Sequence, residues 1–207
     1  MSRVLEYLPL SSQVNPIPEE VARVASLMST FSPDWALCGG WAVDSWLGHR
    51  SREHGDIDVT VFHDDQQSLF AHIAGWTPIA HDPNVPDDTD EPWDGRHVDL
   101  PAHIHTLPTD GFKFELILNE RSGRDWILAP EPRIAMPLRD CVRQSPWGLP
   151  TLVPEVALFY KAKDLRRHDE LDFAALLPRL TDGQRGWLRD AVSIVYPGHR
   201  WLNQLAL

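Results

Sequence analysis

The chain has 207 residues, 43% of them hydrophobic, and a formal net charge of −11. That is enough for one ordinary core, or one domain with a small appendage, and its acidity throughout argues against a protein that grips nucleic acid by its phosphates. No apolar run approaches the ~18 residues of a membrane helix, the start lacks a signal-peptide pattern, and the two cysteines, Cys38 and Cys141, form neither a disulfide framework nor a zinc CxxC; a reducing cytoplasm is the expected setting, with both thiols as core or near-core residues.

Residues 1 to 16 read as an irregular lead-in. Pro18, followed by Glu19 and Glu20, opens a helix whose inner face is Val21, Val24, Ala25 and Met28. A short strand, Trp35 to Leu37, leads to Gly39-Gly40, which start the amphipathic segment Trp41 to Leu47; Gly48 is placed to cap it. In DIDVTVF, Ile57, Val59 and Val61 alternate with Asp56, Asp58 and Thr60, a period-2 strand pattern. On a strand, Asp56 and Asp58 project to one face, roughly 6.5 Å apart along the chain. Two carboxylates so close repel each other unless a cation joins them, and oxygen ligands suit Mg²⁺ together with substrate phosphates. A glycine-opened helix start offers N–H groups and a positive dipole end to an anion. An anion cradle ahead of a metal-binding acid pair is the layout that phosphoryl or nucleotidyl transfer needs. Arg52 and His54, just upstream of the acids, would contact phosphate or brace the loop.

Beyond this strand, His63-Asp64-Asp65 opens a helix with Leu69, Phe70 and Ile73, ended by Gly75, and Trp76 to Ile79 reads as a strand. Residues 82 to 94 are proline-rich and hold six acids with no Lys or Arg. They read as a solvated loop, or as an acceptor-side lip that attracts a polycation. HVDLPAHIHTLP and GFKFELILNE, joined by Thr109-Asp110-Gly111, predict a hairpin. His103 and His105 stand at i, i+2 with His97 nearby, a spacing open to a transition metal, although paired strand histidines without cysteines read first as surface or core-edge residues. Trp126 to Leu128 and Pro130 to Pro137 are expected to lead out of the sheet, and Pro146 to Pro150 marks a boundary. This divides the chain into a catalytic domain, 1–150, and a helical C-terminal domain, 151–207. From Pro154 two helices flank Lys163–Arg167, and Thr181 with Gln184 forms a capping-box signature for another, lined by Leu188, Val192 and Val195. Lys161, after the apolar Phe159-Tyr160, and less so Lys163, would reach phosphates from this domain. Asp169 and Asp172 read as partners of the neighbouring arginines.

The stretch WALCGGWAVDSWLGHRSREHGDIDV resembles the DNA-polymerase-β-type nucleotidyltransferase superfamily, and more closely its aminoglycoside 2''-nucleotidyltransferase group. Gly39, Gly40, Trp41, Ala42, Asp44, Leu47, Gly48, Arg52, His54, Asp56 and Asp58 match; Cys38 and His49 depart, where the group often has Gly and Arg. YKAKDLRRHDELDF is similar to a stretch of related nucleotidyltransferases. The resemblance implies an α/β (α+β) fold, a small mixed sheet with flanking helices followed by an α-helical C-terminal domain. It also implies two Mg²⁺ ions on Asp56, Asp58 and a third carboxylate on a neighbouring strand, and an ATP-like substrate on the Gly39-Gly40 helix start, for which Arg52, His54 and Lys161 are the further candidates read from the residues. Glu115, in the apolar strand Phe114–Leu118, is preferred over Asp99, which stands close before Pro101. The implied acceptor is a hydroxyl of a small, cationic molecule. A protein-modifying transferase of the toxin–antitoxin kind shares the same site, and a non-catalytic nucleotide-binding module shares the fold.

Overall fold

The strands gather into one mixed sheet whose two faces bury different helices. The computed structural model describes residues 14–81, 91–107, 114–128 and 130–206. The turn Thr109-Asp110-Gly111, most of the acidic stretch 82–94 and nearly all of the lead-in lie outside the described residues.

In chain order, α1 (Glu19–Met28) precedes β1 (Ala36–Leu37), α2 (Gly39–Leu47), β2 (Asp58–Phe62), α3 (Gln66–His72) and β3 (Thr77–His81). Next come β4 (Glu91–Pro92), β5 (His103–Leu107), β6 (Phe114–Ser122), β7 (Asp125–Ile127), β8 (Ala135–Pro137), α4 (Leu138–Cys141), β9 (Val142–Gln144) and β10 (Pro150–Leu152). The helices α5 (Pro154–Lys161), α6 (Arg167–Leu176), α7 (Asp182–Val195) and α8 (Leu202–Leu205) close the chain. The strand order is β4-β3-β5-β6-β2-β1-β10-β9, with β7 on β6 and β8 on β7. The central pair, β2 and β6, is parallel, as are β1 and β10; the other pairings are antiparallel. The expected mixed α/β class with a helical C-terminal part is the observed one.

Alternation decides which face each side chain meets. Ile57, Val59 and Val61, with Phe114, Leu116 and Leu118 of β6, bury against Val21, Val24 and Met28 of α1 and Leu69 of α3. The opposite face carries Phe62 into a second core with Val43, Trp46 and Leu47 of α2, Phe159 of α5, Phe173 of α6 and Leu188 and Val192 of α7. The helix ends follow local chemistry. Pro154 sits at the first position of α5, where its missing N–H costs nothing. Thr181 and Gln184 cap α7 reciprocally, and Gly48, at φ +77°, closes α2 with its N–H on the Asp44 carbonyl.

Three expectations are corrected. β2 starts at Asp58 and not Asp56, because the indole of Trp41 takes the Asp56 carbonyl at 3.0 Å and removes it from the ladder. Residues 125–137 do not leave the sheet: β6 outruns β2, so Glu120 to Ser122 present unpaired backbone groups that β7 and then β8 satisfy. The Pro146–Pro150 stretch is the turn of the β9–β10 hairpin, closed by Ser145 N–H to Leu149 O (3.0 Å), and β10 remains in the sheet beside β1.

Candidate active site

Five segments converge on the end of the parallel β2–β6 pair nearest the start of α2. The register sets Asp58 directly opposite Glu115. Both project from the face opposite Val59 and Leu116, towards the C-terminal helices. Asp56 lies exposed just ahead of β2. Asp99, the other candidate third acid, is 98% exposed and stands against His97, at 3.7 Å, away from the β2 acids.

The turn from β1 into α2 explains the glycines. Cys38 is extended and donates its N–H to the Asp58 carbonyl (2.9 Å). Gly39 then takes φ +61°, a left-handed conformation that favours glycine. A Cβ on Gly39 would fall within the Asp58 carboxylate, and one on Gly40 would lie 2.5 Å from both Arg52 Nη2 and His54 Nδ1. The bare backbone therefore lets this chain's own site residues close over the helix start.

Arg52, Lys161 and His54 are each held by a carboxylate. Arg52 forks onto Asp172 of α6 through Nε–Oδ1 and Nη2–Oδ2, both 2.8 Å. Lys161, buried at the end of α5, places Nζ 2.7 Å from Asp172 Oδ2 and 3.4 Å from Asp169 Oδ1. Asp172 thus joins Arg52 and Lys161, and not its neighbouring arginines; Asp169 takes Arg166 as expected, at 2.9 Å. Burial opposes ionisation of Asp172, but the Arg52 hydrogen bond and the Lys161 charge outweigh it and hold its carboxyl below the usual range. His54 Nε2 lies 2.6 Å from Asp44 Oδ2, and Ser51 Oγ donates to Asp44 Oδ1 at 2.5 Å. The imidazole also lies on Trp41, with ring centroids 4.1 Å apart. Lys163 is exposed in the turn after α5.

Asp58 is pushed up to about 7, chiefly by burial and then by the charges of Asp56 and Glu115; Lys161 and His103 offset only part of this. Burial, and after it the Asp58 charge, raises the Cys38 thiol well above its ordinary value, so it stays protonated and non-nucleophilic. Three hard oxygen donors whose mutual repulsion Lys161 and His103 offset only in part are the donor set a divalent cation such as Mg²⁺ fits. The arrangement can bind a metal-bound polyphosphate between α2, α5 and the acids.

Two residues take roles in the tertiary structure that the sequence reading does not assign: Asp44, there only a matched position, and Asp172, there a partner of neighbouring arginines; both are fully buried or nearly so. An acid on the apolar segment Trp41–Leu47 was the available signal for Asp44, since a buried carboxylate requires partners. The partners of Asp172 come from α5 and the loop before β2, which no local pattern announces.

The model of the aminoglycoside-2''-adenylyltransferase family matches residues 20–176. No curated protein sequence matches significantly. Among solved structures, the lincosamide antibiotic adenylyltransferase LnuA, lincomycin-bound, is 19% identical, with a TM-score of 0.54 over 78% of this chain and 98% of that one. The solution structure of the antibiotic-resistance factor ANT(2'')-Ia is 14% identical, with a TM-score of 0.57 over 86% and 91%. The crystal structure of ANT(2'')-Ia in complex with adenylyl-2''-tobramycin is 15% identical, with a TM-score of 0.53 over 84% and 95%. These likenesses establish a shared fold.

Proposed function

The chain belongs to the aminoglycoside-2''-adenylyltransferase family, and from that membership we propose that it transfers AMP from ATP, with magnesium, to a hydroxyl of a small cationic acceptor of the aminoglycoside type. It is a nucleotidyltransferase enzyme, as its family is. The observation that carries the finer reading is the in-register pair Asp58 and Glu115 beside Asp56, under the Gly39-Gly40 start of α2.

Asp56, Asp58 and Glu115 are the residues that would hold magnesium, which when bound neutralises triphosphate charge and stabilises the leaving pyrophosphate. The α2 start and its dipole orient the triphosphate. Lys161 and Arg52, held in place by Asp172, would bind the same phosphates, while His54 would act through Gly40, against which its ring lies. Glu115 accepts the proton of the acceptor hydroxyl. The hydroxyl oxygen then bonds to the α-phosphorus, the bond to the bridging oxygen breaks, and pyrophosphate leaves with that electron pair. The chain's −11 charge supports a cationic acceptor, since net charge governs which partners are attracted. Lincomycin is bound in the LnuA structure and adenylyl-2''-tobramycin in one ANT(2'')-Ia structure, which supports testing both antibiotic classes here.

The test is pyrophosphate release from Mg²⁺-ATP against a panel of aminoglycosides and lincosamides. Release is expected with at least one acceptor, to be abolished in Asp58→Ala, to fall by about 10²–10⁴ in Glu115→Gln, and to persist in Asp99→Asn. Silence with every acceptor, but Mg²⁺-dependent ATP binding by calorimetry, would point to a protein acceptor. Silence without nucleotide binding would leave a non-catalytic module.

A further inference from the structure

Glu115 has two neighbours besides the acids. β5 lies antiparallel to β6 with His105 opposite Glu115 and His103 opposite Ile117. Ile104 between them is fully buried beneath the sheet, so alternation turns both histidines to the Glu115 face. His103 Nδ1 lies 3.7 Å from Glu115 Oε2, and His105 Nε2 lies 3.6 Å from Glu115 Oε1. His81 of β3 flanks His105, with ring centroids 4.9 Å apart.

These separations are too long for hydrogen bonds, which close at about 2.7–3.2 Å. They are close to the spacing of ligands around one ion: bonds of about 2.0–2.1 Å at tetrahedral angles leave donor atoms roughly 3.3–3.4 Å apart. One donor atom from each of His103, His105 and Glu115 falls within 4.8 Å of the others. Two imidazoles and one carboxylate are also a donor set that zinc uses when it keeps a fourth position open. The three side chains are 16–26% exposed, which leaves an ion a path in. A second cluster, His63, His97 and Asp99, has comparable spacing but not comparable chemistry. There Gln66 Nε2 lies 3.3 Å from His97 Nδ1, while its own amide is fixed by the Val98 N–H and carbonyl. His97 Nδ1 is then an acceptor and Nε2 carries the proton, facing Asp99.

We infer that His103, His105 and Glu115 form a three-ligand site for a zinc-class transition metal, set beside the acid cluster and sharing Glu115 with it. Nitrogen donors select such ions over magnesium. Zinc binding does not depend on the transferase reading. Its consequence does: Glu115 engaged by zinc is withdrawn from Asp58, so zinc inhibits transfer.

The metal-free full-length chain is titrated with Co²⁺, read by its tetrahedral visible absorption, and with Zn²⁺ against a chromophoric chelator. One ion per chain is expected, retained in Asp58→Asn and His97→Asn. In His103→Gln and His105→Gln, binding weakens by more than about 100-fold, the upper end of what loss of a merely supporting contact costs. Unchanged affinity in both histidine variants, or loss in His97→Asn, overturns the site. Histidine imidazole NMR of the wild-type chain needs no variant: zinc must move the His103 and His105 resonances, and their indifference equally overturns it. Zinc binding with neither nucleotide binding nor pyrophosphate release sinks the transferase and leaves the metal site standing; release without zinc binding does the reverse.

Discussion

At the scale of single residues, the site depends on atoms that are missing. Gly39 lacks the Cβ that would overlap Asp58, and it holds φ +61°. An L-residue there costs roughly 1–2 kcal/mol of backbone strain, but the larger effect is on position, because Asp58 has only two side-chain torsions with which to move away. Gly39→Ala is therefore expected to cut pyrophosphate release by more than about 10²-fold, the cost of a misplacement of ~1 Å, while thermal melting falls by only a few degrees, in line with ~1 kcal/mol. Near-normal turnover in a folded Gly39→Ala chain would show that the Asp58 carboxylate need not sit over the helix start. Cys38, one residue earlier, behaves as the sequence suggests: buried and unpaired in any disulfide.

Between elements, one carboxylate ties three segments together. Asp172 of α6 receives Arg52 from the loop before β2 and Lys161 from the end of α5. Its side chain is 1% exposed and that of Lys161 is 8% exposed, so the pair is screened little by water. Removing one member of a buried ion pair strands the others and costs about 3–5 kcal/mol. Asp172→Asn is expected to lose about 3 kcal/mol in urea unfolding and to raise the ATP KM, since Lys161 and Arg52 lose their anchor. The exposed Asp164→Asn should stay within about 0.5 kcal/mol. Equal stability of the two variants would mean that the network is dispensable. α2 is fastened to the sheet by Trp46 Nε1 donating to the Leu152 carbonyl (2.8 Å), and the C-terminal helices to α2 by Arg179 donating to the Leu47 carbonyl (3.2 Å). The acids on β2 and the cations of the C-terminal helices are thereby kept in one frame.

Over the whole molecule, stability carries a pH signature from a group outside the acid cluster. Glu155 of α5 is buried against α7, where Gln184 Nε2 donates to its Oε2 at 2.8 Å. Burial pushes it from its ordinary 4.5 up to about 7, and the hydrogen bonds it accepts only partly counter this. The folded chain thus holds this proton more tightly than the unfolded one. Its contribution is full below about pH 4.5, declines as pH rises and is gone above about pH 7. The unfolding free energy from urea titration is expected to fall across that window by about 3 kcal/mol on account of Glu155, and Glu155→Gln, which keeps an acceptor for Gln184, should make the profile shallower, leaving the fall that Asp58, also raised to about 7, contributes. An unchanged slope in the variant would assign the pH dependence elsewhere. No helix among the described residues is long and apolar enough to cross a membrane.

The sequence by itself determined what local periodicity and local hydrogen bonding decide. The strand alternation from Asp58 onward, the left-handed Gly48 cap, the Thr181–Gln184 box and the helices on either side of Lys163–Arg167 were all legible, because each depends on residues within a few positions of one another. Glu115 could be preferred as third acid because an acid in an apolar strand needs a partner. Only the tertiary structure decided that β6 lies parallel beside β2 with Glu115 opposite Asp58, that Asp172 collects Arg52 and Lys161, and that His103 and His105 straddle Glu115. It also kept residues 125–137 in the sheet, where the overhang of β6 needed partners. The physical reason is common to all of these. Pairing between distant segments is set by which backbone groups and charges are left unsatisfied once the elements pack, and no stretch of chain carries that information alone.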